Sequence, residues 1–307
     1  MDWKAILIQN GVVVADGAWG TELARKGLKP GECPESWNLH RPQDVRALPA
    51  AYVQAGAQIV LTNTFGASRL KLARSGLADR TAEINREGAR LSREAAQDRA
   101  LVFASVGPTG ELLQPLGSIG ESEMIEVFRE QIQALLEGGI DGVAVETMSD
   151  LAEAKCALKA AREVGDLPVV TCATFDKGPA GYATMMGVTP EHAASELQEA
   201  GADIVGSNCG LGIQNMLDIA RLMRPATSRP LWIKSNAGKP ELVGGRTVFR
   251  DSPKDMAARV PELVEAGAQF IGGCCGTTAN HIEAIAQAAS NLRSKAKSNL
   301  EAVRFRP

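Results

Sequence analysis

The chain has 307 residues, 45% of them hydrophobic and 22% charged, with a formal net charge of −3. This composition suits one ordinary globular enzyme domain, slightly longer than a typical single barrel. Such a balanced charge excludes a strong basic field, so neither nucleic acid nor an anionic membrane is expected as the main partner, and no stretch approaches the ~18 apolar residues of a membrane span.

The opening stretch MDWKAILIQNGVVVADGAWG has one lysine, a broken apolar run and an early Asp16. It lacks the basic start, continuous apolar core and cleavage site of a secretory signal. It reads instead as a strand leading into a loop, and a cytoplasmic location is expected. From there a short apolar run, a Gly/Asn/Thr-rich loop and an amphipathic helix alternate along the chain. Strands are predicted at 12–16, 58–62, 101–106, 142–146, 169–174, 203–207, 231–234 and 269–273. Most are nearly all apolar, as strands buried on both faces should be. Helices are predicted at 42–54, 79–98, 122–137, 149–164, 190–200, 213–223, 254–265 and 279–289, where apolar residues recur at helical spacing. Several close on a glycine phrase just before a strand, such as Ala55-Gly56-Ala57, Ala200-Gly201-Ala202 and Ala266-Gly267-Ala268, with glycine supplying the left-handed turn. Eight such units predict a (β/α)8 TIM barrel, an α/β fold of one domain over residues 1–290. Residues 291–307 are set apart as a basic tail that is expected to be disordered. An open doubly wound sheet is the competing architecture. The first strand, however, ends Asp16-Gly17-Ala18-Trp19-Gly20, without the G-x-G-x-x-G spacing of that fold.

Barrel chemistry sits at the carboxyl ends of the strands. Those ends carry Asp16-Gly17, Thr62-Asn63-Thr64, Glu146-Thr147, Asn208-Cys209-Gly210, Ser235-Asn236 and Cys274-Cys275-Gly276. Of the six cysteines, Cys33, Cys156 and Cys172 read as buried packing residues. Cys209, Cys274 and Cys275 fall at two strand ends, and three soft thiolates with an open fourth position fit one catalytic zinc ion per chain. No CxxC occurs, and none of His40, His192 and His281 lies at a strand end. Asp16 and Glu146 suit an ammonium group, and the Gly17 and Ala18 amides a carboxylate, which together suit an amino acid. Helix capping is the alternative role of either acid. Asn63, Thr64, Asn208 and Asn236 are candidates for substrate contact or for loop bracing. Trp19 and Phe65 are candidate wall residues.

The segments DGAWGTEL (16–23), TNTF (62–65), ETMSDLAEAKCALKAAR (146–162), SNCGLG (207–212), SNAGKP (235–240) and GGCCGTT (272–278) together resemble the homocysteine S-methyltransferase domain. The resemblance covers nearly the whole chain, and VGPTGELLQPLG (106–117) is most similar to the homocysteine-binding part of cobalamin-dependent methionine synthase. It implies zinc on Cys209, Cys274 and Cys275, the homocysteine amino group on Asp16 and Glu146, and its carboxylate near Gly17 and Ala18. The implied reaction is methyl transfer to homocysteine sulfur, giving methionine. Two departures argue against betaine as donor: Thr147 stands where betaine-using relatives carry an aromatic residue, and no long C-terminal oligomerisation arm follows. The folate, cobalamin and activation domains of full methionine synthase do not fit in this length. The expected donor is therefore methylcobalamin on a separate corrinoid protein, or S-methylmethionine or S-adenosylmethionine. Two alternatives stay open: another thiol or selenol acceptor, such as selenocysteine or coenzyme M, and a non-catalytic zinc–thiolate subunit of a corrinoid methyltransferase complex.

Overall fold

The computed structural model describes the backbone of residues 2–244 and 246–304, and the side chains of that range apart from Arg246 and residues 293–304. Eight parallel strands form one sheet: β1 (Val13–Val14), β2 (Ile59–Leu61), β3 (Leu101–Val106), β4 (Gly142–Met148), β5 (Val169–Ala173), β6 (Ile204–Gly212), β7 (Leu231–Asn236) and β8 (Ala268–Gly273). Their order is β1-β8-β7-β6-β5-β4-β3-β2. A parallel bridge between Ala15 and Ile59, with the Gln58 amide donating to the Val14 carbonyl at 2.7 Å, joins β1 to β2 and closes the ring. The architecture is the single (β/α)8 barrel that the alternating pattern predicts.

All eight predicted helices are present, as Pro42–Gln54, Thr81–Ala96, Glu121–Glu137, Leu151–Val164, Pro190–Glu199, Ile213–Met223, Pro253–Glu265 and Ala279–Arg304. The last crosses the boundary at residue 290 drawn from the sequence, and residues 305–307 of the expected tail lie outside the described residues. No described helix is long and apolar enough to cross a membrane.

Side chains alternate across each strand, and that alternation separates a dry interior from a polar mouth. Inward-facing Leu101, Phe103, Ala144, Val170, Cys172, Ile204, Trp232 and Phe270 make one buried cluster. Its aromatic centre is stacked, with ring centroids of Phe103 and Trp232 6.4 Å apart and those of Trp232 and Phe270 5.5 Å apart. Two residues further along the same faces stand Ser105, Glu146 and Lys234, all buried. The outward faces, among them Val102, Val143, Val205, Ile233 and Ile271, pack under the helices in a larger cluster.

The stretch before β1 differs from its expected strand-into-loop form. Residues Trp3–Asn10 are a helix, started by Asp2, whose Oδ1 accepts the Lys4 amide at 3.1 Å, and stopped by Gly11 at φ 70. Ile6 joins the inner cluster, and the Trp3 ring lies 6.0 Å from that of Phe270, so this helix covers the amino end of the barrel. Two antiparallel hairpins were also not foreseen. They pair Asp176–Gly178 with Gly181–Ala183 after β5, and Glu241–Val243 with Arg246–Val248 after β7.

Candidate metal and acceptor site

The end of β6 carries Cys209, and the turn after β8 carries Cys274 and Cys275. Cys209 has φ 63, a left-handed conformation that costs a non-glycine residue about 1–3 kcal/mol and persists only where its surroundings enforce it. Here β6 pairs with β7 on either side of it, Asn208 opposite Lys234 and Gly212 opposite Asn236. A flat strand would send Asn208 and Cys209 to opposite faces; the kink lets both line one cavity. Thr147 repeats the device on β4 with φ 62, so that Glu146 and Thr147 face the same space. At Gly276, φ is 82 and a Cβ would stand 2.3 Å from the Phe249 ring, so the turn that presents Cys275 needs glycine.

The Cys209 and Cys275 Sγ atoms are 3.9 Å apart, and all three sulfurs lie within 4.8 Å of one another. Thiolates at ~2.3 Å from a tetrahedral zinc ion stand about 3.8 Å apart, so the trio fits such an ion with little movement. Among the described residues it is the one group of three metal-ligating side chains of this kind. The thiols oppose ionisation among themselves. For Cys209 the contact with Cys274 lowers the pKa, but the contact with Cys275 and burial carry it up to about 12. For Cys275 the contact with Cys209 lowers it, while Cys274 and burial push it up to about 12. A bound cation reverses this balance and favours thiolates.

The three cysteines share a cavity of about 380 Å³ with Gly17, Trp19, Asn63, Phe65, Glu146 and Lys234. Glu146 Oε1 accepts from the Ser105 hydroxyl at 2.5 Å and Oε2 from Asn208 Nδ2 at 3.3 Å. Burial pushes its carboxyl above the ordinary range, partly offset by the Lys234 charge. Asp16 is fully buried and does not line the cavity. Its Oδ1 accepts from Lys234 Nζ at 2.6 Å, and its Oδ2 from the Leu61 amide at 2.9 Å and Trp19 Nε1 at 3.1 Å.

Other predicted residues divide between wall and scaffold. Gly17 lines the cavity, and a Cβ there would meet the Tyr52 ring at 2.7 Å. The Ala18 amide is engaged, donating to Thr277 Oγ1 at 3.1 Å. Asn63 lines the cavity while its Nδ2 donates to the Pro34 carbonyl at 2.8 Å and to Asn38 Oδ1 at 2.9 Å. Asn236 Nδ2 donates to the Gly210 carbonyl at 3.2 Å and so braces the turn next to Cys209. Trp19 and Phe65 are wall residues. Cys156 and Cys172 are buried. Sequence reasoning passed over two charged residues, Glu35 and Lys234. Glu35 lines the cavity and accepts the Gly66 amide at 2.6 Å. Lys234 interrupts the apolar run of β7, and that interruption was the available signal.

The sequence profile of the homocysteine S-methyltransferase family matches residues 13–289. The chain belongs to that family. As a homocysteine S-methyltransferase family member it is a methyltransferase, and the matched span contains Gly17, Glu146, Cys209 and Cys274, which line one cavity. Methionine synthase of Mycobacterium tuberculosis is 28% identical over 305 residues, and that of Mycobacterium leprae 29% identical over 295. The alignments take in 94% and 90% of this chain but 25% and 24% of those proteins, so the chain spans about a quarter of their length. The homocysteine methyltransferase MmuM from Escherichia coli, in its metallated form, has the same fold. Its TM-score is 0.78 at 22% identity, covering 92% of this chain and 98% of that one.

Proposed function

We propose that the chain transfers a methyl group to the thiol of homocysteine, giving methionine, with one zinc ion held by Cys209, Cys274 and Cys275. Three sulfurs from two strand ends, within 4.8 Å of one another beside the buried Glu146 carboxylate, support this reading most directly. Three soft ligands without a fourth from the protein are the donor set of an open zinc site. When bound there, zinc supplies the Lewis acidity that lets an acceptor thiol lose its proton near neutral pH, and the thiolate is the nucleophile.

The chain's own residues bind and orient. Glu146 takes the acceptor's ammonium, while Asp16 holds the Lys234 ammonium at 2.6 Å. Asn208 fixes the carboxylate's setting, since its side chain holds Glu146 together with the Thr147 amide and hydroxyl at 3.3, 2.7 and 2.7 Å. Gly17 admits the acceptor close to the backbone, with Asn63 and Asn236 holding the loops around it. Trp19 and Phe65 narrow the cavity and exclude water. A sulfur lone pair forms the new S–CH3 bond as the donor's methyl bond breaks with its electron pair, so neither a general base nor a covalent enzyme intermediate is needed. Holding the two partners in line is worth on the order of 7–11 kcal/mol of barrier in well-oriented cases.

The donor we propose is methylcobalamin on a separate corrinoid protein, or a sulfonium such as S-methylmethionine or S-adenosylmethionine. Thr147 at the cavity wall supports a donor other than betaine. Six cysteines without a disulfide among them suit the reducing cytoplasm. Cys209→Ala is predicted to lose bound zinc and methionine formation together while keeping its circular dichroism spectrum; a zinc-free, fully active variant would overturn the reading.

A further inference from the structure

Resting on the homocysteine reading above, we infer that Asn208 is a positioning residue that links the acceptor to the metal ligands: when the acceptor's ammonium takes Glu146 Oε2, the Asn208 N–H released there turns to the Cys274 sulfur.

Asn208 is fully buried, lines the cavity and stands next to Cys209 on β6. Its orientation follows from hydrogen-bond chemistry. The Thr147 backbone amide can only donate, and it lies 2.7 Å from Asn208 Oδ1, so that atom must be the oxygen. Nδ2 then faces the other way. There it meets Thr147 Oγ1 at 2.7 Å, Glu146 Oε2 at 3.3 Å and Cys274 Sγ at 4.0 Å. A side-chain amide has two N–H donors, so three acceptors compete for two hydrogens. The bond to Thr147 is the shortest, and together with the Thr147 amide it braces a turn held at φ 62. That leaves one N–H between a carboxylate and a sulfur. The carboxylate is beyond the usual hydrogen-bond distance, and the sulfur is at the outer edge of such a contact.

An incoming ammonium settles that competition. It forms a charge-assisted bond with the carboxylate, stronger than the bond from a neutral amide. A buried N–H left without a partner is costly, and Cys274 Sγ is the acceptor that remains within reach. With a metal bound, Cys274 is a thiolate and so a better acceptor still. A hydrogen bond to a ligating thiolate draws electron density off that sulfur and leaves the metal more acidic toward its other ligands. Asn208 thereby ties activation of the acceptor thiol to correct seating of the amino group, two events on different strands. A thiol without the ammonium leaves the N–H on Glu146 and is activated less. The arrangement selects aminothiols by the state of the metal site, in addition to any gain in affinity.

Cobalt(II) in place of zinc reports on the ligating sulfurs through its sulfur-to-metal charge-transfer band. The band is to be recorded on full-length, cobalt-loaded protein without methyl donor, saturated with homocysteine or with 4-mercaptobutyrate, the same thiol lacking the amino group. A sulfur that accepts a hydrogen bond holds its electrons more tightly. In the wild-type protein the band should therefore lie at shorter wavelength with homocysteine than with 4-mercaptobutyrate. In Asn208→Ala that separation should vanish at unchanged cobalt content. A merely structural role would displace both bands together and preserve their separation. Should Asn208→Ala lose the metal because the β4 turn relaxes, the Asn208→Ala/Thr147→Gly double variant, which removes the cost of that turn, carries the same expectation. Coincident bands in the wild-type protein, or an undiminished separation in the variant, would overturn the link while leaving the function standing. Absence of homocysteine binding to the wild-type protein would overturn the function reading itself, and this inference with it.

Discussion

The ion pair of Asp16 with Lys234 joins residues 218 apart in sequence, at the centre of a closed ring. Removing one partner of a buried pair leaves an uncompensated charge and costs about 3–5 kcal/mol, whereas removing both costs less than the sum. Asp16→Asn and Lys234→Met are each predicted to lose stability of that order in urea unfolding, with the double variant losing less than the two together; strict additivity would contradict the pairing. Glu153 works differently. Its Oε1 accepts the Thr109 amide at 2.7 Å and the Thr109 hydroxyl at 2.6 Å, yet burial outweighs these bonds and raises its pKa. A carboxyl raised on folding contributes stability that is full below its unfolded value near 4.5 and is lost as pH rises through the folded value. Glu153→Gln should therefore flatten the fall of melting temperature with pH above that range, and parallel curves for the two proteins would contradict it. The clustering of Cys209, Cys274 and Cys275 was legible from the residues, because cysteines at strand ends have little packing to gain. The left-handed turn at Cys209 and the partner of Lys234 were not, since both depend on how β6 and β7 register and on ring closure.

At the scale of elements, the strands were legible because a strand buried on both faces is apolar throughout. Their ends were less so. The second strand stops at Leu61, and the sixth runs on to Gly212 through the irregular pairing between Asn208 and Gly212. The helix Trp3–Asn10 escaped because Ile6-Leu7-Ile8 is a continuous apolar run without helical period, and Ile8 proves 85% exposed. Exposed hairpin arms such as Asp176–Gly178 bury no face and so leave no alternation to read. The seam between β6 and β7 supplies a direct test. A Cβ on Gly206 would lie 1.9 Å from the Trp232 carbonyl oxygen, so Gly206→Ala must part the two strands that carry Cys209 and Lys234. A loss of about 3 kcal/mol or more is expected, at the upper end for overpacking, together with weakened metal binding. An alanine variant with unchanged melting temperature and zinc content would contradict that account of the seam.

Over the whole molecule, one end of the barrel is covered by the amino-terminal helix, the middle is filled by stacked aromatics, and the other end holds cysteines, Glu146 and Lys234 around an open cavity. This polarity follows from strands that begin apolar and end polar, which is why the alternating pattern revealed both the fold and the end where chemistry belongs. Membership of the homocysteine S-methyltransferase family agrees with it along residues 13–289. The most direct test of the central claim is methionine formation by the purified, metal-analysed chain. Homocysteine serves as acceptor, with S-methylmethionine, S-adenosylmethionine, methylcobalamin and betaine offered in turn. The account predicts turnover with one of the first three, at about one zinc per chain for the three-cysteine site, and none with betaine. Folded, zinc-replete protein that makes no methionine from any of them would contradict it.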